Sequence, residues 1–387
     1  MSLLHRTAML AVRTAPVLFV LVGLAGRAEQ AACRQLFERA EAARAGGRLE
    51  ESVPVFERAL RCDPGRADGW WGLGSVLYEM DRYAEASVAF RHVTRLAPQK
   101  GDGFAMLGLC EAKLGRNREA LGHLARGRRL GLRNDAAFAR VVWFHEGTLL
   151  LQQGRFGEAQ ERFEALARDG APAREIAWPL GAAVLGVLPS ADTAARGTLM
   201  PVLESAGQAQ YFAARKEIPA AREYWQAFLR DYGDRRNAHF AYGRFLLSIY
   251  DDDGAVKEFE AELARDPGHV LAHVGIAGTK AGQDPEFALP YAEKAVKLAP
   301  GLGEAHFLLG MILLNLDRPG RALTELEAAR RLSPREAKVY FQLARAYARN
   351  GRAAEAEAAR RMFQRLGGAG PAPSGPSGGD GKESTKR

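Results

Sequence analysis

Two histidines, His269 and His273, stand four residues apart, one helical turn, the spacing at which two imidazoles can share a metal ion. No carboxylate or cysteine of suitable spacing accompanies them, so they read as ordinary interface histidines. Asp251-Asp252-Asp253-Gly254 gathers three carboxylates before a glycine, but without the alternation that a calcium loop needs. It reads as a turn. The run Gly69-Trp70-Trp71-Gly72-Leu73-Gly74 is rich in glycine, yet it falls inside a repeating segment, where its glycines serve packing. No G-x-x-x-x-G-K-[ST], G-x-S-x-G or H-E-x-x-H sequence occurs. The expectation is therefore a non-enzymatic chain with no cofactor and no metal.

The surroundings of these residues narrow the class. The chain has 387 residues, 47% of them apolar, and only 3 cysteines. That composition excludes wholesale disorder and a disulfide scaffold. No apolar run reaches the ~18 residues of a membrane span, which excludes a multi-span protein. Residues 1–28 read as a secretory leader: Arg6 and Arg13 precede the apolar stretch Pro16–Ala25, and Gly26 and Ala28 fit a cleavage site. An uncleaved N-terminal anchor is the alternative. Gln30-Ala31-Ala32-Cys33 lacks the aliphatic residue of a lipoprotein signal and lies too far beyond the apolar run. Residues 367–387, all Gly, Pro, Ala, Ser, Thr and charge, are expected to be a disordered tail. Setting both ends aside roughly halves the net charge of +8, so the basic balance is no nucleic-acid signature.

Between the ends the sequence repeats. Pro64 and Pro98 are 34 residues apart, as are Pro300 and Pro334, and Pro267 precedes Pro300 by 33. Trp70, Leu73, Gly74, Ala86 and Phe90 precede Pro98. His239, Tyr242, Gly243, Ala255 and Phe259 precede Pro267 at the same offsets, and His306, Leu309, Gly310, Ala322 and Leu326 precede Pro334. Phe104, Leu107, Gly108, Ala120 and Leu124 keep the frame, with Leu132 in place of the proline. Each unit carries two apolar stripes of helical period. Turns are expected at Gly46-Gly47, Asp81-Arg82, Gly115-Arg116, Gly154-Arg155 and Asp317-Arg318. The prolines stop the second helix, because their nitrogen donates no hydrogen bond.

This pattern resembles the tetratricopeptide repeat family, best over residues 67–98, and extends over most of residues 31–366 in about ten copies. The resemblance implies an all-α, right-handed superhelical solenoid whose first helices line an inner wall. The expected arrays are residues 31–233, whose last two units are degenerate, and 234–366, ending in a more polar capping helix. Frame is recovered after about five extra residues at Trp143, Gly147, Ala159 and Phe163. Over residues 174–233, Pro189, Pro201 and Pro219 interrupt the pattern. That stretch is either a decayed spacer or a bend that shapes a groove.

Cys33 begins the first helix and Cys62 ends the second, so an antiparallel pair brings them together; a disulfide and two unpaired thiols are both open. Cys110 reads as a small apolar core residue. Carried over from the family, the ligand-facing position 5 falls on Trp71, Phe144, Phe240, His273, Phe307 and Phe341. Position 9 includes Arg244, Met311 and Arg345, and position 12 includes Tyr78, Leu151, Leu247 and Leu314. The Lys-at-5, Asn-at-9 set that clamps chaperone C-termini is missing. The aromatics suit an apolar or helical peptide segment, with Arg244 and Arg345 for carboxylates, or else they pack the repeats themselves. The implied function is a scaffold that binds a protein or peptide partner, exported to a periplasm or outside the cell. An accessory subunit of a membrane-associated envelope assembly or export complex is the alternative. Single-stranded RNA reading fails on the signature and the charge.

Overall fold

The computed structural model describes residues 30–132, 135–188 and 193–367. The expected leader (1–28), Pro189 and all of the expected tail after Gly367 lie outside them. The described residues form nineteen α-helices and no strand. They divide into two compact units between Arg215 and Lys216, ahead of the 233/234 boundary expected from the sequence. In the first, α1 (30–45) pairs with α2 (Leu49–Cys62), α3 (Ala67–Glu79) with α4 (Tyr83–Leu96), and α5 (Gly101–Lys113) with α6 (Asn117–Leu130). There follow α7 (Ala136–Gln152) with α8 (Phe156–Arg168), and α9 (Ala173–Leu185) with α10 (Thr193–Ala214). The second unit opens with α11 (Ile218–Tyr232). Its hairpins are α12 (Ala238–Ser248) with α13 (Asp252–Arg265), α14 (Val270–Lys280) with α15 (Pro285–Leu298), α16 (Gly303–Asn315) with α17 (Pro319–Leu332), and α18 (Ala337–Arg349) with α19 (Ala353–Arg365).

Within each unit a helix touches those one or two places along the chain, which is the packing of an all-α solenoid. The first helices of successive hairpins meet one another, α5 with α7 and α7 with α9 in one unit, α14 with α16 and α16 with α18 in the other. The second helices form the other layer.

Three local devices recur among the hairpins. The turn between the two helices carries one left-handed residue in most of them, supplied by Gly47, Gly115, Gly154 and Gly351 and, without glycine, by Asp81, Tyr250 and Asp317; the α14–α15 turn has none. The glycine at position 8 makes room for a large side chain of the second helix. A Cβ on Gly74, Gly147 or Gly243 would press within 3.0 Å of the ring of Phe90, Phe163 or Phe259. At Gly108 the backbone of the second helix is as close, Ala120 O at 2.9 Å, beside the side chain of Leu124. The three rings are at most 1% exposed, and burying each contributes about 1.5–3 kcal/mol.

The third device was not read from the sequence. The bulky residue at position 4 reaches the carbonyl of the proline that ended the previous hairpin: Trp70 Nε1–H donates to Pro64 O (2.9 Å) and Tyr340 O–H to Pro334 O (2.9 Å). His273 and His306 do the same through Nε2, to Pro267 O (3.1 Å) and Pro300 O (3.0 Å). Each such bond latches one hairpin to the one before it and satisfies a carbonyl at a helix C-terminus. It also corrects the register of His273, which occupies position 4 rather than position 5.

The degenerate middle is more helical than its prolines suggest. Pro179 and Pro201 lie inside α9 and α10, and only Pro219 sits at a helix start. What holds α9 to α10 is a close backbone crossing: a Cβ on Gly181 would overlap Leu203 O, and one on Gly207 would overlap Ala177 O. The extra residues before Trp143 lengthen α7 to 17 residues, against 13 in α3 and α5, and Asp135 caps it by accepting from the amides of Ala137 and Phe138. At the far end α19 buries only Ala356, Ala359 and Phe363, the one-sided pattern of a cap.

Candidate functional site

The residues expected to touch a ligand fall in both units. In the first, Trp71 is half-buried, its ring 5.5 Å edge-on to Phe90, and it lines a cavity of about 390 Å³ with Asp68, Val93 and Lys100. Tyr78 packs on Tyr83 with centroids 5.2 Å apart, and burial raises its hydroxyl above the usual tyrosine range. Phe144 packs edge-on to Phe163 at 6.1 Å.

In the second unit Phe240 and Phe307 are 8% and 7% exposed. Phe240 lies against Phe259 and His269, and Phe307 beneath the Lys338 ammonium, 4.9 Å from the ring centroid. Both belong to the packed interior and offer little surface to a ligand. The pattern has a common cause: a ring at position 5 meets the ring at position 24 of its own hairpin, as Trp71, Phe144 and Phe240 do. Phe341 breaks it. Arg360 stands where that ring would be, so Phe341 turns to Phe363, centroids 5.5 Å apart, and stays half-buried. Arg244 is exposed on α12.

Arg345 is the most unusual cation of this set. It lies one turn beyond Phe341 on the same face of α18 and is half-buried. Its Nη1 donates to Gln342 Oε1 at 2.8 Å, and among the described residues no carboxylate lies within ion-pair distance of it. Burial lowers its pKa, and Arg349 one turn further on adds like-charge repulsion. A desolvated guanidinium one turn from an apolar ring has the chemistry to receive a carboxylate.

The other chemical candidates resolve into structure. Asp251 caps α13, accepting from the Gly254 amide at 3.1 Å, and pairs with Arg222 at 3.3 Å. His269 caps α14: its Nδ1 accepts from the Ala272 amide (3.0 Å), and its Nε2 lies 2.8 Å from Asn237 Oδ1. Among the described residues no group of three or more His, Cys, Asp or Glu side chains is placed to hold a metal ion. Cys33 and Cys62 are joined, their Cα atoms 5.8 Å apart, and tie α1 to the end of α2. Cys110 is buried, which pushes its thiol up to about 12.

A tetratricopeptide repeat model matches residues 37–100, 144–196, 207–270 and 308–371, more than half of the chain. The chain belongs to the tetratricopeptide repeat family. Its arrays are all-α repeat solenoids, and membership points to protein–protein interaction as the mode of action. Among individual proteins, the CTR9 homolog of Arabidopsis thaliana is 24% identical over 293 residues, 74% of this chain; the chain spans about a quarter of that protein's length. Among solved structures, a MamA protein covers 43% of the chain and 91% of its own at 14% identity and a TM-score of 0.40. MamA from Desulfovibrio magneticus RS-1 covers 43% and 94% at 21% identity and a TM-score of 0.40. YrrB, a TPR protein described as having an unusual peptide-binding site, covers 41% and 82% at 21% identity and a TM-score of 0.37.

Two features escaped the sequence reading. Glu146 holds position 7, where Leu73, Leu107 and Leu309 stand elsewhere, and is 3% exposed. Arg128 donates to it at 3.0 and 3.3 Å, and Arg162 lies 3.5 Å away. The departure from leucine was legible; the two arginines that compensate for it, on α6 and α8, were not. The second is the set of position-4 donors.

Proposed function

We propose that the chain is a non-catalytic scaffold that binds a protein partner along its first helices. Phe341 and Arg345 on α18 are the principal anchor, and the partner supplies an apolar segment bearing a carboxylate. The observation that carries this reading is the half-buried Arg345, which pays desolvation without a carboxylate of its own. Trp71, Tyr78 and Phe144 form a second, separate contact region in the other unit, and Arg244 a further cation. Phe240 and Phe307 are assigned to packing.

The test is capture of partners with the chain from residue 29 to residue 366, followed by titration of the retained protein against variants. Arg345→Ala and Phe341→Ala each weaken binding about tenfold while helical signal stays near that of the parent. Unchanged affinity in both removes the anchor from α18. We further place the protein outside the cytoplasm. The basic and apolar leader supports this, as does the pairing of Cys33 with Cys62, which needs an oxidising compartment to persist. Fractionation of the host with an antibody to the chain tests it; recovery in the cytoplasm with free thiols refutes it.

A further inference from the structure

Three histidines occupy position 4 in successive hairpins of the second unit, and two have a carboxylate from the second helix of their own hairpin. His239 Nδ1 lies 2.7 Å from Glu258 Oε2, and His306 Nδ1 2.7 Å from Glu325 Oε2. His273, between them, keeps the bond of Nε2 to the proline carbonyl, but Tyr291 stands where the neighbours have glutamate. The imidazoles of His273 and Tyr291's ring lie 5.9 Å apart, and Tyr291 O–H turns away to Glu260 Oε1 at 3.1 Å. His273 is 8% exposed, and its Nδ1 is buried with no hydrogen-bond partner. An orphaned buried nitrogen is destabilising, so a fold does not acquire one for stability.

This histidine lines a groove of about 540 Å³ between α13 and α15, on the side of the second helices and away from Arg345 on α18. Leu263, Pro267 and Pro290 give it apolar walls, and Lys294, exposed on α15 one turn after Pro290, supplies a cation at its edge. Glu260 on the opposite wall is engaged by the Tyr291 hydroxyl. The hairpin thus retains the imidazole of its neighbours and has a lysine beside it, but has given up the internal carboxylate.

We propose that this groove takes its carboxylate from outside: an aspartate or glutamate side chain of a protein partner fills, at His273, the place that Glu325 fills at His306, the imidazole taking up a proton so that Nδ1–H donates to the carboxylate while Nε2–H keeps Pro267 O, with Lys294 as the second contact. The groove's apolar walls cover the partner's flanking residues, and Tyr291 keeps its hydroxyl on Glu260 while the carboxylate enters beside its ring. The site is independent of the α18 anchor and stands whether or not that reading holds.

The test uses the full chain and two probes, acetate and an N-acetylated hexaglutamate amide, followed by the imidazole nitrogen and proton resonances of the histidines. His273 is expected to shift saturably with hexaglutamate, and with acetate at higher concentration, while His239 and His306, already facing carboxylates, stay put. Lys294→Ala, at an exposed position, weakens hexaglutamate binding about fivefold. Tyr291→Glu supplies the carboxylate internally, gives His273 the resonance pattern of His306 and abolishes probe binding, with circular dichroism confirming that both variants are folded. The proposal is overturned if His273 does not respond, if hexalysine elicits the same shift, or if folded Tyr291→Glu binds hexaglutamate as tightly as the parent.

Discussion

Replacing Glu146 by leucine restores the residue that most other repeats carry at position 7, and consensus substitutions ordinarily stabilise. Here the structure requires the opposite. Glu146 is 3% exposed, accepts hydrogen bonds from Arg128 and lies within ion-pair distance of Arg162, whose side chains are 32% and 18% exposed. Removing it leaves two guanidiniums facing an apolar side chain. Breaking a buried ion pair from one side costs about 3–5 kcal/mol. Arg128, a third exposed, can swing to water, whereas Arg162, with its Nε buried and without a hydrogen-bond partner, keeps only the exposed Glu161 carboxylate at 3.6 Å. The expected cost therefore sits at the lower end, about 3 kcal/mol. Exchanging Arg128 and Arg162 for methionine in the same chain removes the stranded charges and is expected to recover most of that loss, since apolar replacement of a whole buried triad is often neutral or better. A repeat array does not unfold as one two-state body, so the assay is hydrogen exchange of α6, α7 and α8 amides, which reads local opening. Glu146→Leu protected as well as the parent, or a triple variant no better than the single one, would refute the argument.

Thiol counting under native conditions should find no reactive cysteine, because two are bonded and burial pushes the Cys110 thiol up to about 12; denaturation should expose one, and reduction three. In the chain-entropy model the bond, closing a separation of 29 residues, contributes about 3–4 kcal/mol to the first hairpin, so reduction should accelerate exchange in α1 and α2. Gly181→Ala drives a methyl into Leu203 O and should abolish protection of α9 and α10, whereas Gly122→Ala on α6, with nothing within 4 Å, should stabilise by about 0.5–1 kcal/mol. Burial lowers the pKa of both His145 and His273; Lys113 adds to the effect at His145, and Lys294 and His269 add to it at His273 against the Pro267 carbonyl. The unfolded chain then binds protons more readily below the usual histidine value near 6.5, so stability falls as pH drops through that value and is fully present above it. Thermal melts between pH 7.5 and 5 check this, and His145→Gln should flatten the dependence.

How much of this was legible depended on whether a residue's role is fixed by its own hairpin. Gly74 and Phe90 recur at a fixed offset in one hairpin, so the repeat marked both as packing residues, although not that the ring is what the glycine admits. The turns at Gly47, Asp81 and Gly154 were equally plain, because a left-handed residue must fall between two helices of set length. Contacts between hairpins leave weaker traces. Trp70 reaches Pro64 and His306 reaches Pro300 across a repeat boundary, and the alternation of Trp, His and Tyr hides the one property they share, an N–H or O–H at the tip of a flat ring. The close crossing of α9 and α10 rests on Gly181 and Gly207 in a stretch where three prolines suggested interruption. Pro201 is tolerated within α10 because a 22-residue helix can lose one internal hydrogen bond and keep its packing. The candidate site shows the same division. Position 5 found a row of rings, His273 excepted, but whether a ring meets a ring of its own hairpin depends on position 24, which is Leu326 opposite Phe307 and Arg360 opposite Phe341.

The same reasoning explains why the informative positions are those where a repeat departs from its neighbours. A residue that recurs at fixed offset meets a need every hairpin has, and its energetics close within the repeat. Glu146 breaks the recurrence at position 7, Tyr291 breaks it where Glu258 and Glu325 face the neighbouring histidines, and Arg345 is a cation at a position with no recurrent residue; Glu146, His273 and Arg345 all lie in buried or half-buried places, where an uncompensated polar group is costly. For Glu146 the compensation is on the page, in two arginines from adjacent helices, and the consequence is structural. For Arg345 and His273 the described residues supply no carboxylate, although His239 and His306 show that this fold readily provides one. In a solenoid built of near-identical units, a departure that the array itself does not compensate is where a partner's side chain has most to gain, and both point to the same chemistry, an acidic group on the partner.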